Sequence, residues 1–365
     1  MKKMLSSFEI STLMFYVMRC SFIGITINNL IYIAKQDSYI SILFGFIIGF
    51  IPLFLFFYLS KYRSDLNFVE LVELVVGKKI GKVLNILFSI FILLFSTIAY
   101  WNLINFITSQ YLSNTPAIAI SIVFLLPTIY LLSKGIVVIA KSSIIIFYIC
   151  IFLSLLPLIG LFFQTNLDNL LPFMNNGSIP ILKGSYIYIA NNILPICLLL
   201  IIPRDMVYDE NKFQKKLVLF YCITSLLLFI LFFLTLSIFG VKLAKMYQYP
   251  EFHLLKKVSL IGFIQRTEST LSIQWILDIF MSNILALYFF CQSIKTTFQI
   301  KNDKIYNIII ITTSIFVALM SNYIFKNNTI GIEFLKFKLP ILSNIFFFFF
   351  PLLIAFITWI KKIKR

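Results

Sequence analysis

Two short polar interruptions lie inside long apolar runs, and these are where the chain could do chemistry. The first is Arg19-Cys20-Ser21-Phe22-Ile23-Gly24, followed closely by Thr26. The second follows Tyr188 and reads Ala190-Asn191-Asn192-Ile193-Leu194-Pro195. Gly and Pro weaken a helix, and polar side chains are costly in hydrocarbon unless they face protein or a cavity. The chemistry on offer is recognition rather than bond-making. A zwitterion needs donors for its carboxylate and acceptors for its ammonium; half-helix N-termini supply the first and unwound carbonyls the second. Cys20, Ser21, Gly24 and Thr26 are the candidate ligand contacts in the first run, and Tyr188, Asn191, Asn192 and Pro195 in the second. A plainer role competes with each. Ser21 and Thr26 can bond back to a carbonyl one turn earlier, and the asparagines can bond between helices for about 0.6 kcal/mol. Two adjacent amides point about 100° apart on a helix, so one of them can face a pocket.

Further polar residues sit deep in apolar runs. Tyr100, Asn102 and Asn105 form one group; Asp278 and Asn283 form another. They are second-line pocket candidates. Asp278 and Arg19 each cost about 2.5–3.5 kcal/mol on insertion scales, so both should face a polar interior. A direct pair between them and snorkelling of Arg19 toward the cytoplasm are both open. Arg266 and Glu268 fall at the outer end of the run that contains Asp278. They read as a gate or partner contact, or as solvated loop charges.

Catalytic and metal chemistry have little to build on. The one histidine, His253, lies between apolar runs, and the five cysteines sit inside them with no Cys-x-x-Cys pair. Buried thiols of this kind behave as small apolar residues. No metal, cofactor or disulfide framework is expected, and no enzyme. The 365 residues are 60% apolar and only 12% charged. A soluble globule could not cover itself with that composition, and disorder needs low hydrophobicity. The +17 charge is spread along the chain, which argues against a nucleic-acid partner. The remaining class is an all-α polytopic membrane protein in contact with lipid.

Ten apolar spans are expected, near 9–33, 39–60, 83–107, 116–133, 140–163, 182–203, 217–240, 270–294, 305–325 and 340–360. The first is too long for a cleaved leader and carries Arg19 in its middle. Lys and Arg fall two to one on one side of the membrane when both termini are placed in the cytoplasm. Residues 67–82 read as an amphipathic helix on the cytoplasmic interface, ending at Gly77. Residues 164–184 read as an ordered polar loop, and 242–268 as one or two short helices over the outer face. Ten spans divide into five plus five. The single domain, 1–365, then holds an inverted repeat, about 9–163 and about 182–360, whose first spans are both broken.

A set of residues in order along the chain resembles a known family. Tyr249-Pro250-Glu251-Phe252-His253-Leu254 leads through Gly262-Phe263-Ile264-Gln265-Arg266-Thr267-Glu268 to Gln274-Trp275. Asn169-Leu170-Leu171-Pro172 with Gly177, Pro180 and Gly184, Thr115-Pro116, Gly77-x-x-x-Gly81 and Gln36-Asp37 accompany it. This pattern resembles the spore germination permease-like family, the B subunit of GerA-type nutrient germinant receptors. The resemblance implies membership of the amino acid–polyamine–organocation superfamily, with broken helices 1 and 6. It also implies the inner membrane of a bacterial endospore, a larger A subunit and a lipoprotein C subunit as partners, and a small nutrient, commonly an amino acid, as ligand. An ion-coupled amino acid transporter of the same fold is the alternative. One glycine, Gly24, stands where transporters of the superfamily often have a Gly-rich break.

Overall fold

The computed structural model describes residues 4–162, 164–175, 177–256, 268–325 and 327–361. Among them the chain is helical throughout, with one isolated bridge between Leu5 and Val207. The helices are α1 (Ser7–Arg19), α2 (Ile27–Ala34), α3 (Ser38–Ile48), α4 (Phe50–Tyr62), α5 (Phe68–Val76), α6 (Lys78–Gln110), α7 (Ala117–Lys134) and α8 (Ile136–Phe162). They continue as α9 (Ser178–Tyr188), α10 (Glu210–Met246), α11 (Pro250–Lys256), α12 (Glu268–Thr297), α13 (Asp303–Tyr323), α14 (Asn328–Glu333), α15 (Leu339–Ser343) and α16 (Phe350–Lys361).

Nine stretches of the described residues are long and apolar enough to cross a membrane. The first, Ser7–Tyr62, holds 56 residues. At 1.5 Å per residue it would reach about 84 Å, far more than the roughly 30 Å of hydrocarbon. Lys35, with φ of 50°, interrupts it between α2 and α3, where two spans are expected. Several helices outrun their expected spans. The stretch expected at 217–240 begins at Glu210 and ends at Met246. The last runs from Asn328 to Lys361. Hydropathy marks the part that lipid must cover, whereas backbone hydrogen bonding carries a helix on into polar surroundings.

Local sequence explains the helix ends that frame the site. Ser6 and Glu9 form a reciprocal cap at the start of α1. Asp209 adds to it, accepting from the Ser7 N–H and hydroxyl at 2.6 and 2.7 Å. This ties α1 to the start of α10. Asn67 and Glu70 cap α5 in the same way, and Gly77 ends it at φ 96°. Phe68, Val69, Leu71, Val72 and Val75 of α5 are buried, with the Phe68 ring edge-on to Phe88 and Phe350. A Cβ on Gly81 would fall 2.7 Å from the Glu73 Cα, so the Gly77-x-x-x-Gly81 spacing lets α5 fold back onto α6.

The polar loop is ordered by residues from far away. Gln36 Nε2 donates to the Pro172 carbonyl, and the Met174 N–H donates to Asp37 Oδ1. α9 begins at Ser178, so the loop is shorter than 164–184. α10 bends at Gly240, whose φ of 63° breaks the helical ladder. The freed Ser237 carbonyl accepts from Asn169 Nδ2 at 2.7 Å and from the Asn166 N–H.

Candidate functional site

The α-helical ladder of the first span stops at Arg19. The chain then makes a turn and a wide π-type coil over Phe22–Thr26 before α2 resumes. Gly24 sits in that coil at φ +73°, a conformation that favours glycine. The Thr26 N–H and hydroxyl both donate to the Ser21 carbonyl, at 3.2 and 2.9 Å. Thr26 thus bonds back five residues, not the four of a regular turn. The sixth span loses its α-geometry at Tyr188. A π-type turn over Ile189–Ile193 follows, then a 3₁₀ segment over Leu194–Ile201 with Pro195 in its first turn. The α-helix is interrupted in both spans, but neither is fully unwound. Both remain coiled, because wide and tight turns keep most backbone groups bonded where lipid offers no partner.

The two breaks meet through the paired asparagines. Asn192 Nδ2 donates to the Met18 carbonyl at 2.8 Å. That carbonyl is one the interrupted ladder of α1 would otherwise leave unpaired. Asn191 Nδ2 reaches Thr26 Oγ1 at 3.4 Å, a long contact. Both Oδ1 atoms are buried without a partner among the described residues, an arrangement that costs free energy unless a ligand or water supplies a donor.

Arg19 and Asp278 are only 4% and 0% exposed, and the arginine Nε lies 2.8 Å from Asp278 Oδ2. The guanidinium also stands over the Phe15 ring at 4.8 Å. A cavity of about 20 Å³ lies beside it, lined by Arg19, Ser154 and Gln274 among leucines of α8, α10, α11 and α12. It has room for about one water. Gln274 is fully buried, with both amide atoms unpartnered among the described residues.

The remaining candidates divide. Cys20 and Ser21 are buried at the break, with Cys20 Sγ directed to the Val17 carbonyl. Tyr188 instead packs on α3: a Cβ on Gly45 would fall 2.6 Å from its Cδ1. Tyr100 donates to the Ser121 carbonyl of α7 at 2.8 Å. Asn102 is buried in α6. Asn283 is held by α6, donating to the Ser96 carbonyl and accepting from its hydroxyl. These last contacts are ones that hold helices together. Arg266 lies outside the described residues; Glu268 begins α12.

Sequence reasoning overlooked Glu251. The Gly24 N–H donates to Glu251 Oε1 at 2.8 Å, and the residue is 0% exposed. Burial pushes its carboxyl up to about 8, against a slight lowering by backbone hydrogen bonds. Tyr249 is fully buried beside it, its phenol oxygen 3.2 Å from Asn105 Nδ2. Both residues lie in a stretch already quoted for its resemblance. An acid following a proline in a loop reads as solvated unless the tertiary contacts are known.

The apolar helices and this pair of facing breaks define a polytopic all-helical membrane protein, with a fold shared by solved transporters. The chain covers 95% of its length against a Na⁺-coupled sialic acid symporter, at 12% identity, TM-score 0.66 and 79% of that chain. It matches Mhp1, a nucleobase-cation-symport-1 family transporter, over 95% of this chain and 78% of that one, at 16% identity and TM-score 0.62. A family profile described as spore germination protein matches residues 4–328, and the chain belongs to that permease family. Its relatives include the putative spore germination protein YfkT of Bacillus subtilis (strain 168), 25% identical over 90% of this chain and 89% of that protein. Spore germination protein XB of Bacillus anthracis is 23% identical over 90% of each. Spore germination protein KB of Bacillus subtilis (strain 168) is 23% identical over 74% of this chain and 73% of that protein.

Proposed function

We propose that this chain is the permease-like membrane subunit of a nutrient germinant receptor, and that it binds a small zwitterion, an amino acid, between its two broken helices. The observation that carries this reading is the junction itself. A glycine N–H, two unpartnered asparagine oxygens and a buried ion pair are gathered where α1 gives way to α2 and α9 to its 3₁₀ continuation. Donors for a carboxylate and acceptors for an ammonium are what such a ligand needs. The reading includes ten passages in a five-plus-five inverted repeat, both termini in the cytoplasm and residence in the spore inner membrane. It includes assembly with an A subunit and a lipoprotein C subunit, with Arg266 and Glu268 as a gate or contact on the outer side.

Deleting the gene in its native spore-former and scoring germination against single nutrients tests this. Loss of the response to one nutrient class is expected, and restoration by the wild-type gene but not by an Asn191→Leu copy. Germination unchanged on every nutrient argues against it.

An ion-coupled amino acid transporter is the second reading, favoured by the likeness in fold to a Na⁺-coupled symporter and a nucleobase-cation-symport-1 family transporter. Against it, the carboxylate of Asp278 is already neutralised by Arg19, so the chain supplies its own cation there. Sodium- or proton-dependent uptake of an amino acid into vesicles would favour the transporter.

A further inference from the structure

The helix α11 carries an acid into the break of the first span. Glu251 Oε1 takes the Gly24 N–H, while Oε2 is buried with no partner among the described residues. No cation among them forms an ion pair with it. A carboxyl held this way is costly, so the packing around it must compensate. The Tyr249 ring is seated directly on the break: a Cβ on Gly24 would collide with its Cε1. Phe106 meets Tyr249, Phe252 and Trp275 at ring-centroid distances of 5.0, 5.5 and 4.4 Å. Asn28 Nδ2 donates to the Tyr247 carbonyl at 2.8 Å. Leu255 of α11 closes the cavity that reaches Arg19.

We propose that α11 is an intramolecular plug, in which the Glu251 side chain occupies the Gly24 N–H that a ligand's carboxylate would take, so that ligand binding displaces the helix. This rests on the carboxylate-binding reading given above. One N–H cannot serve two carboxyl groups at once. Ligand and plug are therefore mutually exclusive, which couples occupancy of the break to the position of α11. Release returns Glu251 to water and gives up the aromatic contacts. The two states are opposed by different forces, as a switch requires.

The test uses the full chain in detergent with a cysteine introduced by Leu254→Cys, a fully buried position on α11. Maleimide modification at that site is read by mass spectrometry. The probe is acetate, with acetamide as the neutral isostere. Acetate should raise the modification rate about tenfold, the shift expected for competition at one charge-assisted hydrogen bond, and acetamide should not. Adding Glu251→Ala or Glu251→Met should abolish the acetate dependence; methionine fills the volume and keeps the protein folded if alanine does not. Equal effects of acetate and acetamide, or an acetate response that survives Glu251→Met, overturn the plug. The labelling uses neither nutrient nor spores, so failure of the receptor reading is scored separately, by germination.

Discussion

Arg19 and Asp278 lie 259 residues apart in the chain and 2.8 Å apart in the fold, sealed from solvent. Each is an embedded charge that would be expensive alone; together they form a neutral unit joining α1 to α12. Asp278 Oδ1 has no partner among the described residues, so the pair is singly bonded rather than forked. Its removal and its halving should differ sharply.

Asp278→Asn should destabilise the protein by about 3–5 kcal/mol, because it strands a buried guanidinium. Replacing both residues by leucine should restore much of that loss. Thermal unfolding in detergent of Arg19→Leu, Asp278→Leu and the double leucine variant measures the coupling. Additive losses would show that the pair carries no mutual energy.

The two asparagines should separate by phenotype. Asn192→Leu leaves the Met18 carbonyl without its donor and should cost about 1–3 kcal/mol. Asn191→Leu removes only a 3.4 Å contact and should unfold near the wild-type temperature while abolishing the nutrient response. The reverse order of melting temperatures would contradict the assignment.

Gly24→Ala should be the harshest small substitution at the break. It forces a left-handed residue to carry a Cβ that would collide with the Tyr249 ring. A loss of at least about 1 kcal/mol is expected from strain alone, together with faster modification at Leu254→Cys as α11 is pushed out. Unchanged modification would mean that α11 does not depend on the glycine.

The plug should loosen as pH rises. Glu251 ordinarily titrates near 4.5 and burial raises it to about 8. Between those values the plugged state keeps a proton that the released state gives up, so raising pH favours release by up to about tenfold per unit. The effect is complete above about 8. Titratable groups on α11 and the elements packed against it include Tyr249, His253 and Lys256 beside it, Lys242 and Lys245 of α10, and the Arg19–Asp278 pair. Modification at Leu254→Cys, divided by that of the Glu251→Met form to remove thiolate chemistry, should climb over this window. A flat ratio rules the titration out.

The orientation is tested by labelling from outside. Cysteines at Asn175 and Met246 should react with an impermeant reagent in intact cells, and one at Lys212 only after permeabilisation. The opposite pattern would invert the arrangement.

The apolar runs, the two interruptions and the class of protein were legible in the residues themselves. Lipid imposes about 20 apolar residues per passage whatever the fold, and a polar residue inside such a run is conspicuous. Helix ends were less legible, as α10 shows, because polar residues extend a helix as readily as they end a hydropathy peak. Arg19 and Asp278 stood out singly, but pairing and snorkelling satisfy the same local cost, and only the approach of α1 to α12 decides between them. Asn191 and Asn192 were indistinguishable as neighbours; the direction of each amide, one to Met18 and one to Thr26, comes from how the two breaks face each other. Glu251 was invisible as a site residue. Its loop position implies solvent, and nothing in the local sequence reports that Phe106, Tyr249 and Trp275, drawn from three separate segments, pack together where its carboxyl takes the Gly24 N–H.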